Sequence, residues 1–397
     1  VLLAPLIAQS KSFDNLSLIE NLTTQPEKKK ISIPPEGKFY HGFHPGRPEG
    51  SSSGREDDFI EQDINEYEGT QLGVGKKAAF IYFSNNWNIE RKIIEFPQSM
   101  CEMIDRRGSI PFIRLMLRST EKTNELELEC KDKKYQVKKE VRNMAELGLD
   151  RILNDAELKL QLKEWGRRAK EFDKPLIVEW GTEVNGAWFE WNGWWNGKAN
   201  GGADKFKRAY NYIRQQIEDE GGADNITWVF HVTAGDDPTN DKEKCLSDNS
   251  LDWNKFENYY PGDFIDWFGV SIYGAQKPKD KDCPPFAPQM QQVYERFQRI
   301  NPTKPIFVIE FGATKNSKGC GKASKDCKDT KKNGAAKWAD EALNAIFTQS
   351  EWRMLRGFSW WNETFEDKGT VNMRVQDNPC LKDVFQKRLT EFKDKIY

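Results

Sequence analysis

Pro175-Leu-Ile-Val-Glu-Trp-Gly-Thr-Glu-Val-Asn-Gly-Ala-Trp-Phe-Glu-Trp-Asn-Gly-Trp-Trp-Asn-Gly197 is the stretch from which the rest of the chain can be read. Its apolar run, Leu176 to Val178, has the character of a buried parallel strand, and Gly181 and Gly186 turn the chain out of it into a loop. A carboxylate, Glu183, stands at the exit, and Trp188, Trp191, Trp194 and Trp195 crowd the loop. Flat aromatic faces beside a carboxylate and amides suit a sugar polymer, because rings stack on pyranoses while the polar groups bind hydroxyls.

The same strand–loop–helix unit recurs on both sides of this stretch. Apolar runs lie at Phe39–Phe43, Ala78–Phe83, Ile110–Met116, Ile226–His231, Ile265–Tyr273, Ile306–Glu310 and Gly357–Trp361. Helical periodicity between them covers Phe96–Arg107, Asp155–Phe172, Lys205–Glu218, Gln289–Ile300 and Ala335–Thr348. With the opening stretch this makes eight strands, apolar on both faces, which predicts a (β/α)8 TIM barrel over residues 38–397. A doubly wound open sheet is the competing fold, but no glycine-rich phosphate fingerprint follows the first strand. Residues 1–37 are polar, lysine-bearing and closed by Pro34-Pro35, and read as an N-terminal extension or linker.

The chain of 397 residues carries 60 basic and 62 acidic side chains, a net charge of −2, so no overall field recruits nucleic acid or an anionic membrane. The runs Glu27–Lys30 and Lys315–Lys332 read as solvated linker and loop. No apolar run is long enough to span a bilayer. Val1–Ala8 resembles the tail of a secretory h-region, which makes a secreted or periplasmic protein the expectation; a loosely docked N-terminus is the other reading. The seven cysteines lack paired zinc spacing and the three histidines are scattered, so neither a metal nor another cofactor is expected. Cys320 with Cys327, and Cys245 with Cys283, are the pairs expected as disulfides, with at least one thiol left over. Asn15, Asn21, Asn225 and Asn362 sit in glycosylation sequons. A monomer is expected.

Barrel chemistry sits at the C-terminal ends of strands. Those ends carry Asn85 and Trp87, Arg114 and Arg118, Glu183, His231, Tyr273, Glu310, and Trp360, Trp361 and Glu363. Glu183 and Glu310 each follow a run almost free of other charge. Hydrolysis of a glycosidic bond through a covalent intermediate needs two carboxyls, one to protonate the leaving oxygen and one to attack the anomeric carbon. Helix capping is the bland alternative for either acid alone.

Three motifs carry a resemblance to glycoside hydrolase family 26, in the clan with catalytic glutamates on strands four and seven. They are Glu183-Val-Asn-Gly-Ala-Trp-Phe-Glu-Trp191, then Tyr259-Tyr-Pro-Gly-Asp263 leading to Asp266-Trp-Phe-Gly-Val-Ser-Ile-Tyr273, and Glu310-Phe-Gly312. The resemblance runs from about Tyr40 to near the C-terminus. It implies Glu183 as acid/base, Glu310 as nucleophile, Tyr273 as the hydroxyl that orients the nucleophile, and Trp360 or Trp361 as the platform under the sugar. Asn185, Trp188, Trp191, Trp87, His231, Arg114 and Arg118 complete the expected substrate-binding set, with Trp188 or Trp191 exposed in the groove.

The expected activity is a retaining endo-β-glycosidase on a polysaccharide or oligosaccharide, with β-mannan the first choice by family habit. Mixed-linkage β-glucan, β-1,3-xylan and an exopolysaccharide follow, and a non-catalytic carbohydrate-binding protein is the alternative from another class. Two departures from the family stand out. Thr182 replaces the His that usually precedes the acid/base, and Glu179 stands where the family often has Arg. Counting back by twos from Glu183 puts Glu179 on the inner side of the strand, where a lone carboxylate is costly. A buried contact with Arg114 of the neighbouring strand is therefore expected.

Overall fold

The computed structural model describes residues 29–46, 59–88, 91–117, 128–131, 134–137, 148–186, 188–197, 201–235, 254–324, 326–328, 333–366 and 369–397. Among them, parallel strands close into a barrel in chain order: β1 (Tyr40–Pro45), β2 (Phe80–Asn86), β3 (Ile110–Met116), β4 (Leu176–Trp180), β5 (Ile226–Thr233), β6 (Trp267–Tyr273), β7 (Ile306–Gly312) and β8 (Leu355–Asn362). The expected TIM barrel is the observed fold. Closure comes from β8 pairing with β1, from Tyr40↔Gly357 to Pro45↔Asn362. Each strand is buried on both faces, which is why the runs lack polar alternation.

The floor of the barrel is aromatic. Phe80, Phe112 and Phe307 meet edge to face or tilted at 5.3–5.8 Å, and Trp267 stacks on Phe307 at 4.0 Å. Gly42 on β1 leaves the room this requires, since a Cβ there would fall 2.3 Å from the Phe80 ring. Helices cover the outside. The helix Ala156–Phe172 starts where Asp155 accepts from the amides of Glu157 and Leu158, and buries Leu158, Leu162, Trp165, Ala169 and Phe172. Trp180, pointing outward from β4, stacks on Phe206 of the helix Gly202–Arg214 at 5.0 Å. Above the aromatic floor the inward positions turn polar: Tyr82, Arg114, Glu179, His231, Ser271 and Glu310 are all buried there or lie at 5% exposure.

Residues 29–37 lie along the N-terminal end of the barrel. Lys30 Nζ reaches Asp266 at 2.9 Å, the Ile31 amide donates to Thr227 Oγ1, and Tyr40 donates to the Ser32 carbonyl. The remainder of the expected extension, with Asn15 and Asn21, lies outside the described residues. Asn225 and Asn362 are buried, and the Asn225 amide donates to the carbonyls of Ala169 and Lys174, so neither sequon is open to glycosylation in the folded chain.

The disulfides differ from the expected pairs. Cys283 joins Cys320, and Cys327 joins Cys380. Neighbourhood in sequence misled here: barrel closure brings the loop after β7 between the loop after β6 and the helix Pro379–Glu391, so its two cysteines bond outward rather than to each other. Cys101 is free and buried; Cys245 lies outside the described residues, as does the side chain of Cys130. The double substitution Cys327→Ala/Cys380→Ala is expected to lower stability by about 2–4 kcal/mol in urea unfolding. A change below about half a kcal/mol would show that the loop is held by other contacts.

Candidate active site

The carboxyl that follows β4, Glu183, is reached through a strained turn. Glu183 has φ 49°, a left-handed backbone that costs a non-glycine residue energy and persists only where surrounding contacts enforce it. Those contacts come from β5. The Val184 amide donates to the His231 carbonyl at 3.3 Å. Asn185 donates to the carbonyls of Thr233 and Gly235 at 3.0 and 2.9 Å and accepts from the Thr233 amide. Gly186 then lets the Trp188 indole lie across the turn, where a Cβ would come 2.2 Å from the ring. From that seat Trp188 Nε1 donates to Glu183 Oε2 at 2.8 Å.

Glu310 ends the apolar part of β7 and is 4% exposed. Tyr273 donates to its Oε2 at 2.8 Å, and the Tyr82 hydroxyl lies 3.1 Å from its Oε1. Burial pushes both phenols well above their ordinary pKa, with the charge of Glu310 adding to the effect, so both remain donors. Glu183 is pushed up to about 7, first by burial and then by the charge of Glu310. One carboxyl thus keeps its proton well above the ordinary carboxylate range, up to about pH 7, while the second accepts the tyrosine hydrogen bonds.

A third carboxylate lies one layer deeper. Glu179 Oε1 accepts from Tyr82 and from Thr182 Oγ1, each at 2.6 Å, and Oε2 lies 2.5 Å from His231 Nδ1. Burial pushes Glu179 up, but the charge and hydrogen bond of His231, with Arg114 and Thr182, outweigh it and leave the carboxylate below its usual range. Burial likewise lowers His231, and the Glu179 carboxylate more than reverses this. The two form a buried ion pair. Arg114 and Glu179 are register partners across β3 and β4, as expected of neighbours. The basic group on the carboxylate is nevertheless His231, and the link to Arg114 runs through Thr182, whose Oγ1 accepts from Arg114 Nε at 3.2 Å. Thr182 therefore points into the barrel.

Several expected substrate contacts are placed otherwise. Trp87 is buried, with the Arg151 guanidinium 5.6 Å over its ring. Trp191 is 2% exposed, stacked on Phe189 and donating to the Thr182 carbonyl. Asn185 and His231 are fully buried and spend their polar atoms on β5 and on Glu179 and Ser271. Trp360 faces outward, packed on Phe311 and Phe385 and donating to the Met373 carbonyl. Its neighbour Trp361 takes the inner side, since alternate residues of a strand face opposite ways. Its indole stacks on His44 at 4.0 Å and carries the Arg114 guanidinium at 5.6 Å. Trp188 and Trp195 are half-buried. Arg118 and the side chain of Trp194 lie outside the described residues.

Tyr82, Ser271 and His44 were missed as site residues. Tyr82 follows the inward Phe80 by two, so strand alternation alone could have found it. No group of three or more His, Cys, Asp or Glu side chains among the described residues is arranged to hold a metal ion.

The family model for glycosyl hydrolase family 26 matches residues 74–287. A β-1,3-xylanase, TXYA, of a Vibrio species is 24% identical over 248 residues, which are 57% of this chain and 45% of the xylanase. The chain thus spans about half the length of that relative. An endo-β-1,4-mannanase double mutant of Cellulomonas fimi superposes with TM-score 0.54 at 16% identity, over 89% of this chain and 71% of that one. The catalytic domain of an endo-β-1,4-mannanase of Bacillus sp. JAMB-750 does so with TM-score 0.54 at 16% identity, over 89% and 86%. At such identity these structures share the fold.

The buried charges set a pH window for stability. Glu179, held below its ordinary 4.5, contributes stability above that pH that is lost as pH falls through its folded pKa. His231, raised above 6.5, contributes stability present in full below 6.5 and lost as pH rises through its folded pKa. Glu183, raised from 4.5 to about 7, costs stability progressively between those values. The melting temperature is therefore expected to be highest near about pH 5 and to fall towards pH 8. Calorimetry across that range checks this, and Glu183→Gln should flatten the alkaline decline.

Proposed function

Because the chain belongs to glycosyl hydrolase family 26, we propose that it is a retaining endo-β-glycosidase that cleaves a β-linked polysaccharide by double displacement. The observation that carries this reading is the pair of buried carboxyls at the strand ends, one raised to about 7 and the other held by two tyrosines. Glu310 attacks the anomeric carbon while Glu183 gives its proton to the departing glycosidic oxygen. The glycosyl ester on Glu310 is then cleaved by water, whose proton returns to Glu183 as the new bond to the anomeric carbon forms. Esterification removes the charge of Glu310, and with it one cause of the raised pKa of Glu183, so the acid of the first step becomes the base of the second.

Trp361, seated on His44 and beside Arg114, is the platform for the sugar ring, and the half-buried Trp188 borders the acid. The first substrate is β-mannan, the substrate of the superposed mannanases. The second reading is β-1,3-xylan. It is favoured by the xylanase relative and by Thr182, which is turned to Glu179 and so withholds the contact that would read the 2-hydroxyl of mannose. The two disulfides fit an oxidising compartment, and we place the protein outside the cytoplasm, secreted or periplasmic.

Glu183→Gln and Glu310→Gln are each expected to lower turnover by about three orders of magnitude or more with the fold intact. Reducing-sugar release from mannan and β-1,3-xylan measures it; activity within tenfold of the parent in either variant defeats the assignment. A protein that binds these polymers and releases no sugar would be the non-catalytic binder. Proton NMR of the first-formed anomer should show retention, and a crystal structure should place the carboxyls about 5–5.5 Å apart. The activity should decline above about pH 7, where Glu183 loses its proton.

A further inference from the structure

A phenol has one hydrogen to give, and the Tyr82 hydroxyl stands within bonding reach of two carboxylates. It lies 2.6 Å from Glu179 Oε1 and 3.1 Å from Glu310 Oε1. Packing holds the ring in place. Tyr82 is fully buried and meets Phe112, His44 and Trp361 edge to face at 4.9, 5.9 and 6.2 Å, so the oxygen is fixed and only the direction of the O–H is free. The two acceptors differ in what else they have. Glu179 keeps Thr182 Oγ1 on the same oxygen at 2.6 Å and His231 on the other at 2.5 Å, and stays satisfied if Tyr82 turns away. Glu310 has Tyr273 on Oε2 at 2.8 Å, and among the described residues Tyr82 is the only hydrogen-bond partner of its Oε1.

We propose that Tyr82 is a positioning residue whose hydrogen changes partner during the reaction, serving Glu310 while that carboxylate is charged and Glu179 while Glu310 is esterified. The proposal rests on the reading of Glu310 as nucleophile. In the first step the bond from Glu310 to the anomeric carbon forms as the glycosidic bond breaks, and the leaving oxygen takes the proton of Glu183. Tyr82 gives up no proton, since burial and the charges of Glu179 and Glu310 push the phenol well above its ordinary pKa. Only the direction of its O–H changes.

The arrangement favours the second step. Water attacks the anomeric carbon, Glu183 takes its proton, and Glu310 departs as a carboxylate. A donor that turns to Glu310 as its charge returns stabilises that departure. With no second acceptor the hydroxyl would face only a neutral ester, a poorer partner than a carboxylate, and Glu179 supplies the better one. The buried Glu179–His231 pair thereby has a use beyond packing, which apolar side chains of the same volume often serve as well.

The test separates the two steps. On a 2,4-dinitrophenyl β-mannobioside or β-1,3-xylobioside the leaving group needs no acid, so breakdown of the glycosyl ester limits kcat while kcat/KM reports the attack by Glu310. Tyr82→Phe, which removes one oxygen, is expected to lower kcat about tenfold with kcat/KM within about threefold of the parent. KM then falls, and the glycosyl ester accumulates in mass spectra of the intact protein. Thr182→Val removes the donor that keeps Glu179 satisfied when Tyr82 turns away. It should show the same split, and it repeats the measurement if the phenylalanine variant does not fold. A merely structural loss, with Glu310 out of place, lowers kcat and kcat/KM together. That result, or an unchanged kcat in folded variants, overturns the proposal. Proton NMR needs no substrate. The low-field hydroxyl resonance that Tyr82→Phe removes should move further downfield in Glu310→Gln, where a neutral side chain leaves the hydrogen to Glu179; an unmoved resonance overturns the change of partner. A parent that cleaves no glycoside defeats the glycosidase reading, and the resonance still decides where the hydrogen goes.

Discussion

A carboxylate cannot remain charged in a dry barrel unless donors and a cation surround it, and Glu179 is such a carboxylate. Three strands meet its requirement. Tyr82 comes from β2, Thr182 from the turn after β4 and His231 from β5, and Arg114 of β3 reaches it through Thr182. Each of these has a further task. Tyr82 also bonds the candidate nucleophile, Thr182 precedes the candidate acid by one residue, and His231 anchors the turn that carries it. Satisfying one buried charge thus orders the ground on which both glutamates stand.

The layer beneath is what makes that charge expensive. Phe80, Phe112, Phe307 and Trp267 pack together as the barrel floor, so the polar layer rests on apolar rings. In such surroundings an unpaired group costs far more than in water, and a satisfied network rigidifies its members. Glu183 shows the consequence: it sits beside this network at 9% exposure, on a left-handed backbone that an isolated chain would avoid. Its raised pKa and its strained φ both depend on neighbours holding their places.

The tryptophans divide by strand parity. Trp180, Trp228 and Trp360 point outward and bond helices or loops to the barrel wall, through Phe206, Glu218 and the Met373 carbonyl. Trp361, one residue from Trp360, turns inward and stacks on His44. Trp191 is spent on the loop itself, and Trp188 alone of the pair after β4 touches the acid. A tryptophan-rich composition suited a sugar groove, yet most of these rings build the wall that supports it.

What the sequence by itself determined is whatever depends on near neighbours in the chain. Apolar runs and helical periods set the strands and helices, and strand alternation put Glu179 on the inner side of β4; it does not reach Glu183, which lies past the strand on a left-handed turn. The family is legible because the motif from Glu183 to Trp191, inside the matched residues 74–287, is contiguous. The tertiary structure decided every pairing between distant segments. It chose His231 as the ion partner of Glu179, sent Cys327 to Cys380 rather than to Cys320, and brought Tyr82 to carboxyls far along the chain and Ser271 to His231. The physical reason is closure: the register in which eight strands meet fixes which side chains share a layer, and a sequence read locally carries no record of that register.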